Sequence, residues 1–265
     1  FSNPDSPLSK RFVEEYNGSL LNPRQKNRGF TKIHSVENRD HKALSYSYLE
    51  NQCDIFKIKL SSDLLPFTST NLYIEYTLQI QSDRFTKYGI TNNGDYFLNY
   101  WYLTPAVYEN SEWKLYSNKN LDDYYTPKSK LKLTLEIPNN YSASSELNLN
   151  NIGYKSNTKV FTFEGTNRMD TRFNISKDPF HKFKIGNLNI ISNSLDADES
   201  LNQKINTFEN IVGFLNARLG VYPFENLMIS KVDLKKYPIY GLNLLPGFLS
   251  PFSKEFEYEL TVAKN

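Results

Sequence analysis

The chain has 265 residues, 39% of them hydrophobic and 23% charged, a balance that supports a folded core and argues against intrinsic disorder. A formal net charge of +2, with no cluster of Lys and Arg, gives no electrostatic case for nucleic acid as a partner. Aromatic residues reach 15%, with 19 Tyr and 18 Phe, which favours half-buried pleated surfaces and a mainly β chain.

The first forty residues are polar and irregular, with one exception. In "SPLSKRFVEEY", Ser6 is placed to cap a short helix that has Pro7 at its first position. After Asn38 the pattern turns to period two. "NLYIEYTLQI" sets Leu72, Ile74, Tyr76, Leu78 and Ile80 on one face, and "KLKLTLEI" does the same with Leu131, Leu133, Leu135 and Ile137. "DIFKIKL" (54–60), "KVFTF" (159–163) and "HKFKIGNLNII" (181–191) read as further strands. Breakers divide them: "TNNGD" at 91–95, "PNN" at 138–140 and "EGTN" at 164–167.

From Asp196 the spacing becomes helical. Leu201, Ile205, Phe208, Ile211, Val212, Leu215 and Leu219 share a stripe, Asp196 and Asp198 are candidate caps, and Gly220 is placed to stop the helix. "YPF" leads into a strand at "NLMISKVD" (226–233), and then into an apolar, proline-punctuated segment, "KKYPIYGLNLLPGFLSPF". The change at Asp196 predicts a β-rich domain over 1–195 and the beginning of an α/β domain over 196–265.

Candidate catalytic residues are few. His34, His41 and His181 are the histidines, none at the spacing that puts two imidazoles on one helix face. Cys53 is the single cysteine and has no neighbouring His, so no intrachain disulfide forms and the thiol reads as inert. The paired carboxylates of "LDDYY" (121–125) read as a turn. No apolar run approaches the length that crosses a bilayer as a helix. The chain begins at Phe1 with no leader in front of it, which reads as a processed or excerpted protein.

The order of segments resembles the aminopeptidase N family of zinc metallopeptidases, gluzincins of the leukotriene hydrolase type. "YFLNYWYLTPAVYENSEWKLY" (96–116) is similar to an aromatic strand that meets a proline. "YTPKSKLKLTLEIPNNYSASSEL" (125–147) is similar to the strand after it. "LNARLGVYPFENLMISKVDLKKYPIYGLNLLPGFL" (215–249) resembles the helix, G-x-Y-P-F turn and strand that open the catalytic domain, followed by the wall of the substrate groove.

The resemblance implies a mainly β fold, a saddle-like antiparallel β-sandwich followed by the incomplete start of a thermolysin-like domain. It implies Tyr240, Gly241, Asn243, Leu245 and Glu257 as substrate-groove candidates, with no catalytic residue and no metal ligand in this chain. The family's G-x-M-E-N motif has no counterpart, since "SPFSKEFEYEL" (250–260) stands in its place, and no H-E-x-x-H occurs. Zinc is therefore expected only if a downstream part carries that motif.

Three readings follow. The chain is the non-catalytic front of a peptidase whose other half meets a peptide or protein substrate. Or it belongs to a metal-free peptidase-like scaffold that binds peptides or partners. Or it is a β-sandwich glycan-binding module using its tyrosines and Trp101 or Trp113. An exported bacterial protein, periplasmic or at the surface, is favoured over a cytoplasmic one.

Overall fold

Alternating strands need partners for their backbone groups and cover for one face, and turn chemistry decides which strands meet. The computed structural model describes residues 3–14, 27–50, 52–86, 88–117, 119, 125–194, 200–233, 256, 259–260 and 262–263. In chain order come helix α1 (Pro7–Glu14) and strands β1 (Phe30–Glu37), β2 (Tyr46–Leu49), β3 (Gln52–Ile58), β4 (Tyr73–Gln79) and β5 (Gly89–Ile90). Then follow β6 (Tyr96–Leu98), β7 (Val107–Glu109), β8 (Glu112–Lys114), β9 (Ser129–Pro138), β10 (Ser142–Ser145), β11 (Asn148–Tyr154) and β12 (Thr158–Arg168). Last come β13 (Phe173–Ser176), β14 (His181–Ile185), β15 (Leu188–Ser192), helix α2 (Ser200–Leu219) and β16 (Asn226–Ile229). The fold is mainly β, with antiparallel pairing dominant.

The chain divides into two compact units, Phe1–Ile90 with Trp101–Pro127, and Thr91–Tyr100 with Lys128–Asn265. The boundary expected at Leu195/Asp196 falls on residues outside those described.

In the first unit the Ser6 hydroxyl accepts the Ser9 N–H at 3.2 Å and caps α1, whose Leu8 and Phe12 are buried. β1 and β4 pair antiparallel, and β4 alternates as its sequence requires, with Ile74, Tyr76 and Leu78 half-buried between exposed neighbours. β2 pairs with β3, and β7 with β8 around Asn110 and Ser111, which both have positive φ (52° and 64°) as a type I′ hairpin turn demands.

The second unit is layered. β12 lies between β11 and β9, and β13 between β10 and β6. Phe163 on β12 stacks on Phe161 and meets Phe173 on β13 edge-on at 5.4 Å, so these rings join the two sheets. The β9 alternation holds, with Leu131, Leu133 and Leu135 half-buried and Ile137 buried. Gly94, at φ +84°, closes the expected turn over Thr91–Asp95.

Two expectations differ in detail. The "EGTN" stretch is no turn: β12 continues through it with an irregularity between Gly165 and Arg168, and Asn167 takes up the extra residue at φ +57°. The segment 181–191 is no single strand. Ile185 pairs with Leu188, and Gly186 sits at φ +57° in a two-residue hairpin loop, the first central position where a type II′ turn needs glycine. Period-two alternation on both arms hides such a turn.

β15 then pairs parallel with β16, and α2 makes the crossover between them. Phe208 of α2 is fully buried with Leu188, Ile190, Leu227, Ile229 and Val262, and meets Phe183 edge-on at 5.6 Å. Ile205, Ile211, Val212 and Leu215 are half-buried along the predicted stripe, but Leu219 at its end is 82% exposed. Gly220, at φ +96°, ends the helix with its N–H on the Asn216 carbonyl at 3.1 Å. The side chain of Leu201 and the caps Asp196 and Asp198 lie outside the described residues.

Candidate functional site

In a sheet with parallel strands joined by a helix, functional groups gather outside the carboxyl ends of those strands. Here that edge lies after Ser192 on β15 and after Ile229 on β16. Asn193 accepts the Lys231 N–H at 2.9 Å across the two strand ends. The Ser230–Asp233 turn closes on itself, since Asp233 Oδ2 accepts both the N–H and the hydroxyl of Ser230, at 2.8 and 2.9 Å.

One cation organises this edge. Arg172, just before β13, donates Nε to Glu146 Oε1 at 3.0 Å and its Nη2 to the same oxygen. Nη1 reaches Asp233 Oδ1 at 3.4 Å, and Nη2 also points at the Met228 carbonyl at 3.4 Å. The three side chains are 12%, 14% and 2% exposed, so the cluster is shielded from water. It ties the end of β16 to the loop after β10 and to the start of β13. Asp170 lies two residues away, and burial, the largest cause, pushes its carboxyl up to about 7. The negative charge of Glu146 adds to that shift, while Arg172 and the backbone N–H groups of Thr171 and Tyr100 oppose it.

A second array fastens the opposite end of β16. The Asn226 amide donates to Asn148 Oδ1 at 2.6 Å and to the Leu147 carbonyl at 3.2 Å, and its own oxygen accepts the Asn189 amide at 2.9 Å. Beside it the guanidinium of Arg168, 3.5 Å above the Phe224 ring, donates to the Glu146 carbonyl at 2.9 Å. Burial raises the Tyr222 phenol to about 12, with the Glu146 charge a secondary cause. An open cleft of about 470 Å³ lies at this end, between the Gly186 hairpin, the Glu209, Val212, Gly213 and Asn216 face of α2, and the 221–225 loop. It sits at the amino ends of β15 and β16, the end that such sheets do not ordinarily use.

The groove candidates Tyr240, Gly241, Asn243, Leu245 and Glu257 lie outside the described residues, as do Leu121–Tyr124 of the "LDDYY" stretch. Each of the three histidines has its own local surroundings. His34 Nε2 is 2.7 Å from the Thr77 hydroxyl, His41 Nδ1 is 3.1 Å from Glu37 with its ring stacked on Tyr73, and His181 is exposed at the start of β14. Among the described residues no group of three His, Cys, Asp or Glu is placed to hold a metal ion. Cys53 is exposed; partial burial and then Asp54 raise its thiol pKa, which disfavours the thiolate. Sequence reading missed Arg172, Glu146, Asp233 and Asp170. The one local hint is "DTRFNIS", an arginine between an acid and a strand whose four residues are all buried.

No family model and no curated protein matches the chain. The fold matches the N-terminal β domain of M1 zinc metallopeptidases. A Glu-to-Ala mutant of the enzyme from Deinococcus radiodurans aligns at 14% identity and a TM-score of 0.50, over 80% of this chain and 48% of its own. The same enzyme without that mutation aligns at 12% and 0.46, over 76% and 46%, and the mutant bound to a Tyr-Ser-Ala substrate at 12% and 0.47, over 80% and 48%. The chain thus spans about half the length of these enzymes.

Proposed function

We propose that this chain is the non-catalytic front of an aminopeptidase N-like metallopeptidase or metallopeptidase-like protein. The observation that carries the reading is the sequence of architectures in one chain. Antiparallel sheets lead into a parallel β15–α2–β16 unit whose carboxyl edge is closed by Arg172 and Asp233, and the groove-like segment follows it in the sequence. The fold match supports the same reading. In it the β-rich part, 1–195, is the platform and 196–265 opens the peptidase-like domain, whose Tyr240, Gly241, Asn243, Leu245 and Glu257 face a peptide or protein substrate. The described residues do not fit a zinc site, so no hydrolytic step is assigned to them.

The test is direct. Titrated with zinc, the chain takes up no stoichiometric metal, and it releases no amine from aminoacyl nitroanilides. A robust zinc-dependent hydrolysis by this chain overturns the reading. The absence of G-x-M-E-N favours a second form of it, a scaffold that binds peptides without cleaving them. Metal analysis of the full-length protein from its host separates the two: stoichiometric zinc supports the enzyme, and folded protein without zinc supports the scaffold.

A further inference from the structure

The β7–β8 hairpin of the first unit carries aromatic rings that the fold does not bury. Tyr108 and Trp113 stand directly opposite each other and are both 59% exposed, with ring centroids 5.0 Å apart and planes tilted by 59°. The alternation of a strand puts Glu109 and Glu112 on the other face, where Tyr125 donates its hydroxyl to both Glu109 oxygens at 3.0 Å. Tyr116, 64% exposed, meets the Tyr125 ring edge-on at 5.4 Å.

The rings are held before any partner arrives. The hairpin turn is closed by two left-handed residues, and the chain beyond β8 is braced by Gln52, whose amide donates to the Leu115 carbonyl and the Ser117 hydroxyl, both at 3.3 Å. Ser117 in turn donates to Asp54 at 3.0 Å. Fixed rings lose little freedom on binding.

We propose that this hairpin is a saccharide-binding platform, with Tyr108 and Trp113 as the stacking surface. The chemistry selects the ligand class. Tilted aromatic faces accept the C–H face of a pyranose, while a tyrosyl hydroxyl on the same face suits its ring hydroxyls. The stacking face carries no charged side chain, and on the other face Glu112 is paired with Lys114 while Glu109 accepts the Tyr125 hydroxyl, so the surface suits a neutral polyol rather than an ion. Among the described residues of the hairpin and the chain just beyond it, the exposed aliphatic side chain is Leu115, where a lipid surface would favour several. This site is independent of the peptidase reading, because it uses none of the groove residues.

Affinity electrophoresis and calorimetry with cellohexaose, mannohexaose and chitohexaose test it. At least one of the three binds in the micromolar to sub-millimolar range and changes the tryptophan fluorescence. Trp113→Ala and Tyr108→Ala each weaken that binding at least ten-fold, while Tyr154→Ala, at an exposed ring of the second unit, leaves it unchanged. Trp113→Phe keeps a stacking ring and loses less, which separates loss of stacking from loss of fold. The proposal is overturned if none of the three sugars binds below about 1 mM, a weak-binding limit set by affinity arithmetic. It is also overturned if Trp113→Ala binds like the parent, or if its effect is instead to dissociate a self-associated form of the chain.

Discussion

Replacing Arg172 by Met should expose what the buried cluster contributes. The substitution keeps much of the side-chain volume and removes the one cation that Glu146 and Asp233 share. Two carboxylates are then stranded with side-chain exposures of 14% and 2%, and removing one partner of a buried pair costs roughly 3–5 kcal/mol. Asp233 retains its Ser230 bonds, which holds the expected loss at about 3 kcal/mol, the lower end of that range. A chain of this size loses about 2–4 °C of Tm per kcal/mol, so a fall of roughly 6–12 °C follows.

Adding Glu146→Gln should recover part of the loss by removing one of the unpaired charges. Urea unfolding followed by circular dichroism measures each quantity. A deficit below about 1 kcal/mol, the worth of an exposed pair, would refute the reasoning, as would a double variant no more stable than Arg172→Met alone.

Other outcomes follow from the same structure. Asp170 has a folded pKa raised from 3.8 to about 7, so its stabilising contribution is complete below pH 4 and is lost as pH rises through about 7. Asp170→Asn should therefore gain stability relative to the parent between pH 5 and pH 8, and pH-independent relative stability would count against a buried carboxyl. Gly213, inside α2 with open space where a Cβ would stand, should accept Ala with a gain of about 0.5–1 kcal/mol in thermal unfolding. Gly165→Ala should do the reverse, because its Cβ would lie 2.5 Å from Leu147 Cδ2 in a buried contact; a loss of about 1–3 kcal/mol is expected by chemical denaturation.

What the sequence makes legible here is periodicity and local chemistry. The half-buried faces of β4 and β9, the Ser6 cap, the α2 stripe and the Gly220 stop all depend on residues a few positions apart. The Gly186 hairpin escaped because two short arms of equal period look like one long strand. The Arg172 cluster escaped for a different reason. Its partners lie 26 and 61 residues away, and no local pattern announces which acid an arginine will meet once the sheets stack. Asp170 is harder still, since its shift comes from burial that the fold creates. Trp113 reads in the sequence as a core or cross-strand ring; it is cross-stranded, and it also faces water.

The two ends of β16 are fastened by different chemistries, and that gives the second unit a direction of failure. At the start, Asn226 is held by amide and carbonyl groups, which carry no formal charge. At the end, Asp233 is held by the Arg172 guanidinium, an ion pair for which dissolved guanidinium competes. Low concentrations of guanidinium chloride should thus free the strand from its carboxyl end while its amino end stays attached, like a strap unbuckled on one side. Amide exchange would register this as early loss of protection at Ile229 and Ser230, with Leu227 protected longer.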